Sequence, residues 1–98
     1  MIIEGFITSV HNDITGLSIS IHTIDPWIVQ SLLSFTCDYS ILRTLEVNNW
    51  LNLGGVRCRL RMYRGNAPVG KYEEIKVGHL TEDKWLTLDN MTLATKLH

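Results

Sequence analysis

Arg57, Arg59 and Arg61 alternate with Cys58, Leu60 and Met62, and a period of two puts the three guanidinium groups on one side of an extended strand. Alternate strand residues lie about 6.6 Å apart, a step that suits the backbone of an extended single-stranded nucleic acid. Tyr63, Arg64, Lys71 and Tyr72 follow in the same stretch. Arginine forks hold phosphates bidentately and tyrosine rings offer stacking surfaces for bases. Arg57, Arg59, Arg61, Tyr63, Arg64, Lys71 and Tyr72 are therefore the candidate face for a ligand or partner. The plainer alternative is that the arginines pair with Glu46, Glu73, Glu74 or Glu82 and only keep the outer face solvated.

The other chemistry-bearing residues give less. Gly65-Asn66-Ala67-Pro68-Val69-Gly70-Lys71 satisfies the first part of a phosphate-binding loop. A working loop needs Ser or Thr after the lysine and a helix behind it, whereas Tyr72 and a strand-like run follow here, so the segment reads as a hairpin turn. His11, His22, His79 and His98 show no i, i+4 pairing, and no metal site is expected. Cys58 alternates inward as core filler, and Cys37 sits in no nucleophile signature. Adjacent strand residues face opposite ways, so Glu73 and Glu74 do not converge on one substrate, and Glu82-Asp83 reads as a turn. No catalytic residue and no cofactor is assigned. An enzyme would need Cys37 or a histidine brought beside a carboxylate in a pocket.

The elements that must carry these residues belong to one domain, residues 1–98, because a chain of 98 residues has room for a single core. Two cysteines are too few for a disulfide framework, and Glu4 stands where a secretory signal wants a basic start. With no apolar run long enough to span a bilayer, the expectation is a cytoplasmic protein with no membrane contact. The net charge of −1 argues against a surface that attracts nucleic acid everywhere. It hides an asymmetry: residues 1–50 hold one base against five acids (−4), and residues 51–98 hold eight bases against five acids (+3). Such separation steers partners or favours association of copies.

Six strands and a helix are predicted. Residues 1–10 and the alternating Leu17, Ile19 and Ile21 form a hairpin around a turn at 11–16. Asp25-Pro26 supplies a helix start, and Ile28, Val29, Leu32, Leu33 and Phe35 line one face of a helix over 26–36. Leu42 to Val47 reads as a strand, with Trp50 as a plug in the polar connection that follows. Val56 to Tyr63 is the clearest strand, and Tyr72 to Leu80 is its partner, in a register that pairs Leu60 with Ile75, Cys58 with Val77, Arg61 with Glu74 and Tyr63 with Tyr72. Trp85, Leu86 and Leu88 suggest a last strand. The expected fold is α+β, mostly antiparallel β, in the order ββαββββ, as a small barrel or sandwich with one short helix.

A domain this small spends most of its residues on its core and leaves little for a deep cleft. The expected function is a non-enzymatic interaction module, an inhibitor, adaptor or assembly subunit, that recognises another protein or its own copies. The alternative is binding of single-stranded nucleic acid or a phosphorylated small ligand through the arginine and tyrosine face.

Overall fold

The computed structural model describes residues 2–14, 16–24, 31–68, 71–88 and 92–95. Within them the chain runs β1 (Ile2–Asp13), β2 (Gly16–Thr23), β3 (Ser31–Cys37), α1 (Ser40–Leu45), a single 3-10 turn (Trp50–Asn52), β4 (Arg57–Tyr63), β5 (Glu74–Gly78), β6 (Trp85–Thr87) and β7 (Thr92–Thr95). All described strands join one sheet in the order β6-β5-β4-β1-β2-β3-β7, and every pairing is antiparallel. The sheet curls as a half-barrel around its apolar face, with α1 and the 3-10 turn closing over it. The expected class, mostly antiparallel β with one short helix, is therefore what the structure shows, and the element order agrees in outline. There is one curled sheet, not two stacked ones.

Alternation builds the core. Ile3 and Ile7 on β1, Leu17, Ile19 and Ile21 on β2, and Leu33 and Phe35 on β3 turn inward. Cys58, Leu60 and Met62 on β4 and Ile75 and Val77 on β5 complete the sheet's share, and α1 adds Ile41 and Leu45. Leu60, Val77, Ile21 and Leu33 are fully buried, and each such side chain contributes about 1.5–3 kcal/mol by leaving water.

Two expected elements take the other form, and strand β7 was not expected. Residues 31–36, read as the second half of a helix, form strand β3, while residues 25–30 lie outside the described ones. Leu33, Phe35 and Cys37 fit a period of two as well as a helical stripe, and β3 pairs with β2 from Leu17 opposite Cys37 to His22 opposite Leu32. The sheet ladder and the Ser20–Ser34 hydroxyl bond, 3.1 Å, decide between the two periods. The helix comes one element later, where Leu42 to Val47 was expected as a strand. Asp38 starts it: its Oδ1 accepts the Ser40 N–H at 2.8 Å, in the manner of a cap just outside the first turn. That hydrogen bonding to Ser40 holds the Asp38 carboxyl below its usual range. Trp50, half-buried in the 3-10 turn, packs against the core as a plug should.

The β4–β5 register is offset by two residues from the expected one. Leu60 faces Val77, Met62 faces Ile75, Arg61 faces Lys76 and Tyr63 faces Glu74. An even offset keeps every side chain on its expected face while changing every partner. The hairpin connection is longer than a turn over Gly65 to Gly70 because the Glu73 N–H bonds to the Tyr63 carbonyl at 2.9 Å.

Gly16 opens β2 with φ +133°, and a Cβ there would meet the Cys37 carbonyl oxygen at 2.4 Å. Both the backbone angle and the close approach demand glycine. Replacing Gly16 by Ala should lower unfolding stability by at least about 1–3 kcal/mol, read as a reduced urea midpoint at unchanged slope; a midpoint equal to that of the parent chain would contradict this account of the β2–β3 contact.

Candidate functional site

With Cys58, Leu60 and Met62 inward, Arg57, Arg59, Arg61 and Tyr63 project from the outer face of β4. The neighbours of each differ. Arg57 forms an ion pair with Glu4 on β1. Arg59 donates from Nε to the His79 carbonyl at 2.8 Å and from Nη2 to the Glu82 carbonyl at 3.0 Å, which ties the strand to the β5–β6 connection. Its guanidinium carbon also lies 4.8 Å from the centroid of Trp85. Arg61 lies over the same ring at 4.4 Å, an arrangement favoured by the negative face of the indole. Among the described residues no carboxylate reaches Arg61 within ion-pair distance.

Trp85 occupies this place because position 78 is glycine. A Cβ on Gly78 would come within 2.4 Å of the indole Cε3, so the ring lies across the bare backbone of β5. Its Nε1–H donates to the Asp83 carboxylate at 2.9 Å, which fixes the ring's orientation. The indole is thus a floor on which two guanidinium groups rest. Sequence reasoning set Trp85 near the last strand and missed this contact, whose one signal was Gly78, two strand positions beyond Lys76.

The remaining candidate residues divide. Tyr63 is 59% exposed, and Arg64 and Lys71 are exposed in the connection that follows. Tyr72 instead packs half-buried against the core, so the two tyrosines do not stand side by side. The connection itself is a β-hairpin loop, whose residues 69–70 lie outside the described ones. There the Glu73 Oε1 accepts the Asn66 N–H at 2.9 Å, and the same carboxylate packs over Gly65, whose φ is +53°. The turn's backbone donor therefore already holds an anion supplied by the chain itself, which opposes a phosphate at that place.

A second polar cluster lies where α1 meets the β5–β6 connection. Glu46 ends the helix in the left-handed conformation, φ 56° and ψ 46°. Its carboxylate takes His79 Nε2 at 2.7 Å on one oxygen and Lys84 Nζ at 2.9 Å on the other. His79 Nδ1 accepts the backbone N–H groups of Thr81 and Glu82 at 3.2 and 3.0 Å. Because Nδ1 accepts, Nε2 carries the proton it donates to Glu46. This Glu46–His79–Lys84 cluster was not foreseen, since Glu46 was placed in a strand. Hydrogen bonding to Lys84, then the charge of Lys84, hold the Glu46 carboxyl below its ordinary value of 4.5.

Among the described residues neither cysteine is an activated nucleophile. Burial pushes the Cys58 thiol up to about 12, and burial with the charge of Asp38 pushes Cys37 up to about 11. Both are protonated thiols at neutral pH. No group of three His, Cys, Asp or Glu residues is placed to hold a metal ion among the described residues. His11 is exposed, and His22 leans on Phe6 at a centroid distance of 5.3 Å. The depressions beside Ser18 and Ser20, beside Tyr39 and beside Lys84 are open grooves, not enclosed cavities. Among the described residues no helix is long and apolar enough to cross a membrane.

Comparison with protein-family models, with curated proteins and with solved structures finds no match to this chain.

Two measurements check this description. Because the folded-state pKa of Glu46 is depressed, its contribution to stability is present above the unfolded value near 4.5 and is lost as pH falls through the lower folded value. Glu46→Gln should flatten that part of the acid limb in thermal unfolding between neutral pH and pH ~3; an acid limb identical to the parent's would refute the contact with Lys84. Native chain treated with a thiol reagent at pH ~8 should label Cys58 only as fast as it unfolds, and Cys37 slowly. Prompt labelling of either would show a thiolate that this packing does not allow.

Proposed function

We propose that the chain is a small non-enzymatic interaction module, an inhibitor, adaptor or assembly subunit, that recognises another protein or its own copies through the outer face of β4, β5 and β6. The observation that carries the reading is Trp85 with Arg59 and Arg61 over its ring, on a sheet face where Tyr63 is also exposed. Trp, Tyr and Arg are the residues that supply most binding energy in protein contacts, and they do so where they are held rigid before the partner arrives. Gly78 and Asp83 hold this tryptophan in that way. A flat face also suits a protein better than a small substrate, which needs concavity. In the same reading the module works in the reducing cytoplasm, a setting suited to its two free thiols.

A second reading draws on Arg61, Tyr63, Arg64 and Lys71, whose cations have no carboxylate partner among the described residues. It takes single-stranded nucleic acid or a phosphorylated ligand as the target. It is the weaker of the two because Arg57 is neutralised by Glu4, Arg59 is committed to backbone carbonyls and Tyr72 is packed against the core.

The test is a photo-crosslinking phenylalanine analogue in place of Tyr63, with the same analogue in place of Thr36 as control, in cells that produce the full chain. Discrete protein adducts from position 63 and not from 36 are expected, and mass spectrometry separates self-adducts from those with another protein. Adducts with nucleic acid would favour the second reading. If position 63 gives no adduct, or no more than position 36, the first reading falls.

A further inference from the structure

Like charges face each other on the outer side of the β4–β5 pair. Arg61 stands directly opposite Lys76, a juxtaposition that costs stability in a sheet unless an anion lies nearby. The chain's own carboxylates relieve it on the lysine side alone. Glu74 pairs with Lys76 Nζ at 3.7 Å, whereas Glu4 is taken by Arg57, Asp83 is turned to the Trp85 indole, and Glu73 is folded onto the hairpin loop, which leaves Arg61 without a carboxylate among the described residues. Meanwhile the Arg61 guanidinium is already stacked on a fixed ring, so its fork loses little freedom when it donates to a carboxylate.

We infer that Arg61 and Lys76, with Trp85 as floor, receive an acidic segment of the partner protein, laid in extended form along β4 and β5. The inference rests on reading this face as a protein-binding surface and adds the partner's chemistry. Along the hairpin Arg61 faces Lys76, the next outward pair is Tyr63 and the exposed Glu74, and Arg64 and Lys71 lie exposed in the connection beyond. A peptide can present a carboxylate to Arg61 and Lys76 and a neutral residue to Tyr63 and Glu74 at the next outward position, because its charges need not recur at every step. A polyanion with a charge on every unit would press one of them against Glu74 and another against Glu4. The face therefore suits an acidic peptide better than a nucleic-acid strand.

The experiment uses the full chain, isotopically labelled, with three probes at low salt: a capped Ser peptide carrying Glu at every fourth position, the matching peptide with Lys in place of Glu, and an oligothymidine of equal charge. The Glu peptide should shift the Trp85 indole N–H and the Arg61 guanidinium resonances, and the Lys peptide should not. Arg61→Gln should weaken binding about tenfold or more, and Lys76→Gln should weaken it less. Both side chains project from the outer face, and unchanged resonances from the core would show that each variant folds. Absence of a shift, or an affinity untouched by Arg61→Gln, overturns the inference, as does tighter binding of oligothymidine through the same residues. A protein adduct from position 63 without any response to the Glu peptide removes the acidic segment alone; loss of both removes the protein-binding reading with it.

Discussion

Burial of every second residue along β4 and β5 governs the rest of the molecule. Cys58, Leu60, Met62, Ile75 and Val77 all face the core, and with each worth about 1.5–3 kcal/mol they outweigh any exposed ion pair, which is worth about 0–1 kcal/mol. The outer face has no say in this choice. It receives whatever residues alternate with the buried ones, and in this chain those are three arginines and a tyrosine facing a glutamate, a lysine and a glycine.

What the outer face can do then depends on how each cation is occupied. Arg57 leans on Glu4 and Arg59 braces the carbonyls of the β5–β6 connection, so both serve the fold. His79 braces the N–H groups of the same connection from the other side. Between them two carbonyls and two N–H groups of a short exposed loop find partners, which stiffens this edge of the face. Arg61 is different: it rests on Trp85 and faces another cation. A uniform-looking ladder in the sequence is thus two residues tied to the chain's own acceptors followed by one that no carboxylate among the described residues reaches.

Much of this was legible in the residue order, and the parts that were not share a cause. The alternation of Arg57 to Tyr63 admits no helical alternative, so the strand and its two faces were read directly. Residues 31–36 satisfy both periods at once, and only pairing with β2 and β7 selects the strand. Ser40 to Leu45 is too short to show helical periodicity, and its start depends on one Asp38 hydrogen bond. The strand Thr92–Thr95 was missed because four residues display little alternation. In the candidate site the side-chain types were visible, but the Trp85 floor and the Glu46 cluster arise from residues that meet only once the sheet has formed. Register failed by two positions because loop length was judged from glycines, whereas Glu73 extended the loop by binding back onto it.

The left-handed end of α1 places two demands on one position. Glycine would adopt φ 56° without strain, and glutamate does so against its own sterics. Yet glycine has no arm to reach His79 and Lys84. A helix of six residues has little hold of its own, so a chain with glycine at 46 would end the helix more comfortably and fasten it less well, and the boundary between α1 and the β5–β6 connection would become the first seam along which the domain opens.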